Sequence, residues 1–191
     1  MMKLLSPLNY LKIKHEEKTW YDFYLPLTGA IFVSIVYCYL PNQFKLIGSN
    51  GLISQVNGLL QVLIGFYIAA LAAVSTFGNA RIDDVMAGTP PTLKESFRGK
   101  MSPVKLTRRR FICYLFGYLA LLSFGLFSLG LITSLVGQNF AVWFADVTSL
   151  RCLMALKVVF VFFYFLVLLN IVTTTLLGLY FLAVRIHQSD I

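Results

Sequence analysis

The chain has 191 residues, of which 58% are hydrophobic and only 13% are charged, and its formal net charge is +8. Soluble proteins carry about 25% charged residues, so this composition excludes an ordinary soluble domain and indicates an integral membrane protein. The basic excess fits either nucleic acid or anionic lipid as a partner, and the positions of the charges have to decide between them.

Residues 1–22 are expected to form a polar N-terminal segment outside the membrane. Charges interrupt each of its apolar clusters, and no small-residue cleavage site follows a short apolar core. A cleaved signal peptide is therefore not expected. Trp20, Tyr21 and Tyr24 lie where the first apolar stretch begins, as is typical of the membrane–water interface.

Four apolar stretches are long enough to be transmembrane helices, because about 20 residues at about 1.5 Å each cross the hydrocarbon layer. They run approximately from Phe23 to Leu40, Val56 to Phe77, Phe111 to Val136, and Leu156 to Val184. The segment QNFAVWFADVTSL between the last two is expected to be an anchoring loop or a short surface helix. The predicted fold is a single all-α membrane domain over residues 1–191, with four transmembrane helices.

The basic residues orient this bundle, because positively charged loops stay on the cytoplasmic side. The N-terminal segment holds four Lys or Arg residues, the connection between the second and third helices holds eight, and the tail 185–191 holds one. The opposite side holds only Lys45, Arg151 and Lys157. One side thus holds thirteen Lys or Arg residues and the other holds three. This difference predicts that both termini and the connection face the cytoplasm.

The cytoplasmic connection, residues 78–110, contains eight basic and three acidic residues, with three prolines and three glycines. One continuous helix is excluded by these breakers, so we expect an exposed connector. Arg108, Arg109 and Arg110 abut the third helix, where they are expected to contact lipid headgroups. The charges further from the membrane alternate in sign and form a candidate surface for a soluble protein; they are Arg81, Asp83, Asp84, Lys94, Glu95, Arg98 and Lys100.

No catalytic or metal-binding motif is present in the sequence. Asp83 and Asp84 form a carboxylate pair near one membrane face, but no further catalytic residue accompanies them, so an embedded enzyme is the weakest alternative. The three cysteines, Cys38, Cys113 and Cys152, lack the spacing of a zinc or redox site, and whether Cys38 and Cys152 pair stays open. Neither cofactor nor metal is expected.

Two helix faces carry small or neutral polar residues. In the second helix, Gly65, Ala69 and Ala73 recur every four residues and predict a close helix contact. In the fourth helix, Asn170, Thr174 and Gly178 share a face, and an asparagine in hydrocarbon needs a polar partner. This second face is either a hydrogen-bonded seam between helices or the lining of a narrow pore between copies of the chain.

In its size, its number of passes and its basic cytoplasmic side, the chain resembles the small four-pass membrane subunit of the Kiwa anti-phage defence system. The resemblance implies a homo-tetramer in the bacterial inner membrane that detects phage attack with a soluble, nucleic-acid-binding partner. Direct binding of nucleic acid by this chain is not expected. The favoured function is therefore a non-enzymatic sensor or scaffold that oligomerises and docks a cytoplasmic protein, and the alternative is a small oligomeric ion channel or holin-like pore.

Overall fold

The structure is a computed structural model. It describes residues 3–13, 18–40, 44–76, 80–85, 90–97, 100–147 and 149–185. For some residues within these ranges, among them Arg81, Glu95 and Lys100, only the backbone is described.

Four helices are long and apolar enough to cross a membrane, as the sequence predicts. They are α1 (Leu25–Tyr39), α2 (Leu52–Thr76), α4 (Arg108–Val147) and α5 (Leu150–Tyr180). A π-helical turn, Trp20–Tyr24, precedes α1, and another, Phe181–Arg185, follows α5. The prediction of a helical, multi-pass membrane protein is confirmed at this level.

Helix α4 is longer than the sequence predicts. It continues eleven residues beyond Val136, and its 40 residues extend about 60 Å, twice the thickness of the hydrocarbon layer. The expected separate surface segment is wrong for residues 138–147, which continue α4. Gly137 does not break the helix. Its missing side chain lets Ile47 pack closely, since a Cβ there would lie 2.7 Å from Ile47 Cδ1.

The helices follow one another as a row. Among the described residues the main helix pairs are α2 with α4, α4 with α5, and α5 with α1, so α1 and α2 lie at the two edges. Large apolar side chains are exposed on all four helices, for example Phe32, Val62, Leu135 and Phe163. Such an exposed apolar surface is suited to contact with lipid or with other helices.

The connection between α2 and α4 is partly folded, whereas the sequence led us to expect an exposed connector. It contains a short helix, α3 (Ala80–Asp83), and an antiparallel hairpin of β1 (Thr92–Phe97) and β2 (Lys100–Lys105). Phe97 pairs with Lys100, so a two-residue connection joins the strands. Pro103 is tolerated because a two-stranded sheet has only edge strands. We call the side of the bundle near Thr76, Arg108 and Tyr180 the hairpin end.

The N-terminal segment is not merely a polar flank. Residues Lys3–Lys12 form a 3₁₀ helix that packs against α4. Tyr10 is fully buried, and its ring stacks on Tyr118 with 4.8 Å between centroids. Tyr10 and Ile13 belong to the common apolar core, so this part of the N-terminal segment packs against the helices.

Candidate functional site

An arginine clamp joins the helices that flank the hairpin. The Arg109 guanidinium donates from Nε to Asp83 Oδ1 at 2.7 Å and from Nη2 to Asp83 Oδ2 at 3.1 Å. Its Nη1 donates to the carbonyl oxygens of Val74 and Ser75, at 2.9 and 3.3 Å. These carbonyls lie in the last turn of α2, where intrahelical donors are missing. One side chain therefore joins the C-terminus of α2, helix α3 and the N-terminus of α4.

The base of the hairpin is anchored in the apolar core. Leu93 in β1 and Leu106 just after β2 are buried and belong to the same core as the helices. The Leu106 N–H donates to the Pro91 carbonyl at 3.0 Å, and the Arg108 N–H donates to the Asp84 carbonyl at 3.1 Å. The first of these bonds closes the open end of the hairpin, and the burial of Leu93 and Leu106 holds the hairpin against the bundle.

The residues predicted to dock a partner lie in or beside this hairpin. Asp84 and Lys94 are exposed, and Asp83 is exposed although it binds Arg109. Arg81, Glu95 and Lys100 lie in α3 and the two strands, and their side chains are outside the described part of the structure, as is the whole of Arg98. The register adds one residue that the sequence did not single out: exposed Lys105 pairs with Thr92 and so shares a face of the hairpin with Lys94.

The three arginines predicted to contact lipid headgroups occupy different environments. The Arg108 residue is only 6% exposed. Arg109 forms the clamp to Asp83. Arg110 is half-buried and lines a surface cleft together with residues of the N-terminal 3₁₀ helix.

A second polar cluster is buried between the N-terminal segment and α5. The Lys18 ammonium lies 2.9 Å from Asp22 Oδ2, and these two side chains are only 9% and 7% exposed. The ammonium also lies 4.1 Å from the centroid of the Tyr10 ring, a cation–π contact. The Tyr10 and Thr174 hydroxyls each donate to Asp22 Oδ1 at 3.3 Å.

Asn170 links this cluster to two helices. Its amide nitrogen donates to the Asp22 carbonyl at 2.6 Å, and its oxygen accepts a bond from the Tyr118 hydroxyl at 2.8 Å. Pro26, four residues after Asp22, has no N–H with which to donate to the Asp22 carbonyl. Tyr118 lies ten residues into α4, so the cluster is about 15 Å along the helix from the hairpin end.

The cluster keeps the Tyr10 phenol protonated. Burial raises the pKa of Tyr10 above its ordinary value, and the nearby Asp22 carboxylate raises it further. Tyr10 therefore acts as a neutral donor to Asp22 at physiological pH. We refer to Tyr10, Lys18, Asp22, Tyr118, Asn170 and Thr174 as the Asp22 cluster.

Sequence analysis missed the charged part of this cluster. Asp22 was assigned to the polar flank, whereas the helical segment that begins the first candidate span includes it. Two signals were available: Asn170 requires a partner, and Lys18 and Asp22 are spaced i,i+4 at the start of a helix. These two signals indicate one cluster only if α1 packs against α5 at this level, and the sequence does not reveal that contact.

The other residues predicted to form helix contacts lie partly between helices of this chain and partly on its surface. Gly178 faces Leu115, whose Cδ2 would lie 2.9 Å from an added Cβ. The α2 stripe is different: Gly65 and Ala69 are exposed, Ala73 is half-buried, and a Cβ on Gly65 would meet no atom within 4 Å. The stripe thus has open space beside Gly65.

Within the described residues, no three His, Cys, Asp or Glu residues are grouped so that they could hold a metal ion. Cys38 and Cys152 are free and exposed thiols. Asp83, the residue considered for acid–base chemistry, has both carboxylate oxygens bound to Arg109.

Comparison with protein-family models, curated protein sequences and solved structures finds no match for this chain.

Proposed function

We propose that this protein is a non-enzymatic sensor or scaffold of the bacterial inner membrane, which oligomerises and docks a soluble cytoplasmic protein on its hairpin. The observation that carries the proposal is the attachment of the hairpin to the core by buried Leu93 and Leu106, next to the Arg109 clamp that joins α2, α3 and α4. A connector that only joins two helices needs neither a folded hairpin nor a bidentate clamp. A fixed, charged surface suits recognition of another protein.

The partner is expected to be complementary to a basic surface. Lys94 and Lys105 lie on one face of the hairpin and are both exposed. The distribution of basic residues along the chain supports a cytoplasmic position for this surface. The resemblance to the Kiwa membrane subunit supports anti-phage defence as the setting and a nucleic-acid-binding protein as the partner.

Oligomerisation is expected to use the outer face of α2. Seven exposed residues follow alternating spacings of four and three, as on one face of a helix that packs against another helix. They are mostly small or neutral polar residues, which allow close approach and hydrogen bonding within lipid: Ser54, Gly58, Gln61, Gly65, Ile68, Ala72 and Ser75. The family resemblance implies four copies.

The test of docking uses charge reversal on the hairpin face. The protein is expressed in its native cells, and the soluble protein that it docks is co-purified with it from solubilised membranes. Lys94→Glu combined with Lys105→Glu should abolish recovery of the soluble protein while the membrane protein itself is still recovered. Lys45→Glu, an exposed reversal outside the hairpin, should leave recovery unchanged. Undiminished recovery with the double variant would reject the proposed surface.

The channel alternative places Asn170 and Thr174 on a face that copies of the chain share around a pore. In the described structure both residues bond to Asp22 within one chain, and Asn170 also bonds to Tyr118. These contacts favour a seam between helices, and the scaffold is therefore the function we propose.

A further inference from the structure

The hairpin has two strand edges. In the described part of the chain, β1 and β2 form a sheet of two strands, so each has only the other strand beside it. The outer edge of a strand presents backbone N–H and C=O groups, to which an extended segment of another protein can add as a further strand. The two edges of this hairpin are not equivalent.

The register determines which backbone groups lie on the outer edge of β1. The Leu106 N–H donates to the Pro91 carbonyl at 3.0 Å, so these two residues form a hydrogen-bonded pair. Opposite residues of an antiparallel pair alternate between bonded and non-bonded pairs. Bonded pairs therefore fall on the odd-numbered residues of β1. The N–H and C=O groups of Thr92, Lys94 and Ser96 point away from β2.

The outer edge of β2 is interrupted. Pro103 is paired with Lys94, in a non-bonded pair, so its backbone nitrogen lies on the outer edge of β2. Proline has no N–H to donate, and its presence on an edge opposes strand addition. Just beyond β2, Thr107 pairs with Val85, so the chain itself lies beside that end of the strand. Because β1 (Thr92–Phe97) contains no proline, its edge is the better template for a further strand.

The charges beside this edge indicate which side chains an added segment carries. Lys94 is exposed, and its own backbone groups belong to the edge. Lys105 is also exposed and lies on the same face of the hairpin. Alternate side chains of an added strand would lie on this face, next to Lys94. Acidic residues at these positions complement its charge.

We propose that the soluble partner adds an extended, acidic segment to the outer edge of β1 as a third strand. Hydrogen bonds to the backbone of Thr92, Lys94 and Ser96 contribute affinity, and the Lys94 side chain selects acidic residues. Since a two-stranded hairpin has little stability of its own, the third strand also stabilises the hairpin. This inference rests on the docking function proposed above and specifies the kind of segment that docks.

The experiment measures, by fluorescence anisotropy, how a short labelled peptide of alternating glutamate and threonine residues binds to the full chain in detergent. The same peptide with lysine in place of glutamate tests the charge. Ser96→Pro removes an outward N–H from β1, and Met101→Pro, its partner in the register, removes one from β2. Neither substitution removes a hydrogen bond between the strands. Hydrogen–deuterium exchange of the Leu93 and Glu95 amides checks that the hairpin is intact, and Thr92→Pro serves if exchange increases in Ser96→Pro.

Wild type and Met101→Pro should bind the glutamate peptide more tightly than the lysine peptide. Ser96→Pro should weaken binding of the glutamate peptide about fivefold, as expected for the loss of one backbone hydrogen bond, and Thr92→Pro should weaken it as well. Equal binding by Ser96→Pro and Met101→Pro would overturn β1 as the edge. Equal binding of the two peptides, or no binding of either, would overturn an acidic added strand. If Lys94→Glu with Lys105→Glu still abolishes recovery of the soluble protein, docking on the hairpin stands and only strand addition is rejected.

Discussion

At the scale of single residues, Asp22 determines how the N-terminal segment joins the bundle. A buried ion pair is favourable only when its polar atoms are well hydrogen-bonded. Here Asp22 Oδ1 accepts two bonds, and the Asp22 carbonyl accepts a third from Asn170. The sequence predicted that Asn170 needs a polar partner. It did not identify Asp22, because which helices pack together is decided by tertiary contacts.

Removal of one member of the pair should cost more than removal of both. Asp22→Ala leaves the Lys18 ammonium buried without its carboxylate and should lower the free energy of unfolding by about 3–5 kcal/mol. The double variant Lys18→Met with Asp22→Leu leaves no buried charge and should be destabilised less. Denaturant unfolding in detergent, followed by circular dichroism, measures both. Equal stability of Asp22→Ala and wild type would contradict the role of this pair.

Arg109 ties α3, which precedes the hairpin, to the C-terminus of α2 and the N-terminus of α4. Arg109→Gln removes the bidentate contact to Asp83 and should increase hydrogen–deuterium exchange in β1 and β2, while exchange in the central turns of α2 and α4 stays unchanged. Arg151→Gln, an exposed change at the start of α5, is the control and should leave the hairpin protected. Unchanged exchange in the strands of Arg109→Gln would show that the clamp does not hold the hairpin.

At the scale of secondary-structure elements, the four apolar helices were predictable and the structure between them was not. Hydropathy identifies long apolar helices because their length must match the bilayer. The hairpin strands are short and charged, and β2 contains Pro103, so no alternating pattern indicates them. The one local signal is Gly99, since a two-residue connection ending in glycine favours a tight hairpin turn.

The end of α4 was mispredicted for a related reason. Gln138 and Asn139 interrupt the apolar run and were interpreted as the start of a loop. Polarity alone does not end a helix, however, and residues 138–147 contain neither proline nor glycine. Hydropathy measures how much of a helix suits lipid, whereas the ends of a helix are determined by breakers and packing.

At the scale of the whole molecule, the open row of helices leaves α2 with a free outer face for a second copy. Gly65→Leu should disrupt the oligomer without affecting the fold of one chain, because a Cβ at Gly65 meets no atom within 4 Å. The matched control is Gly125→Leu in α4, where the added Cβ also meets no neighbour. Light scattering of the detergent-solubilised protein measures the mass of the oligomer. An unchanged mass for Gly65→Leu would rule out α2 as the interface between copies.

Docking of a cytoplasmic protein requires that the hairpin faces the cytoplasm, and thiol labelling tests this most directly. The three native cysteines are replaced by serine, and Lys94→Cys introduces one exposed thiol on the hairpin. A membrane-impermeant maleimide should leave this thiol unlabelled in intact spheroplasts and label it fully after lysis. Full labelling in intact spheroplasts would place the hairpin outside the cell and contradict the proposed docking of a cytoplasmic partner.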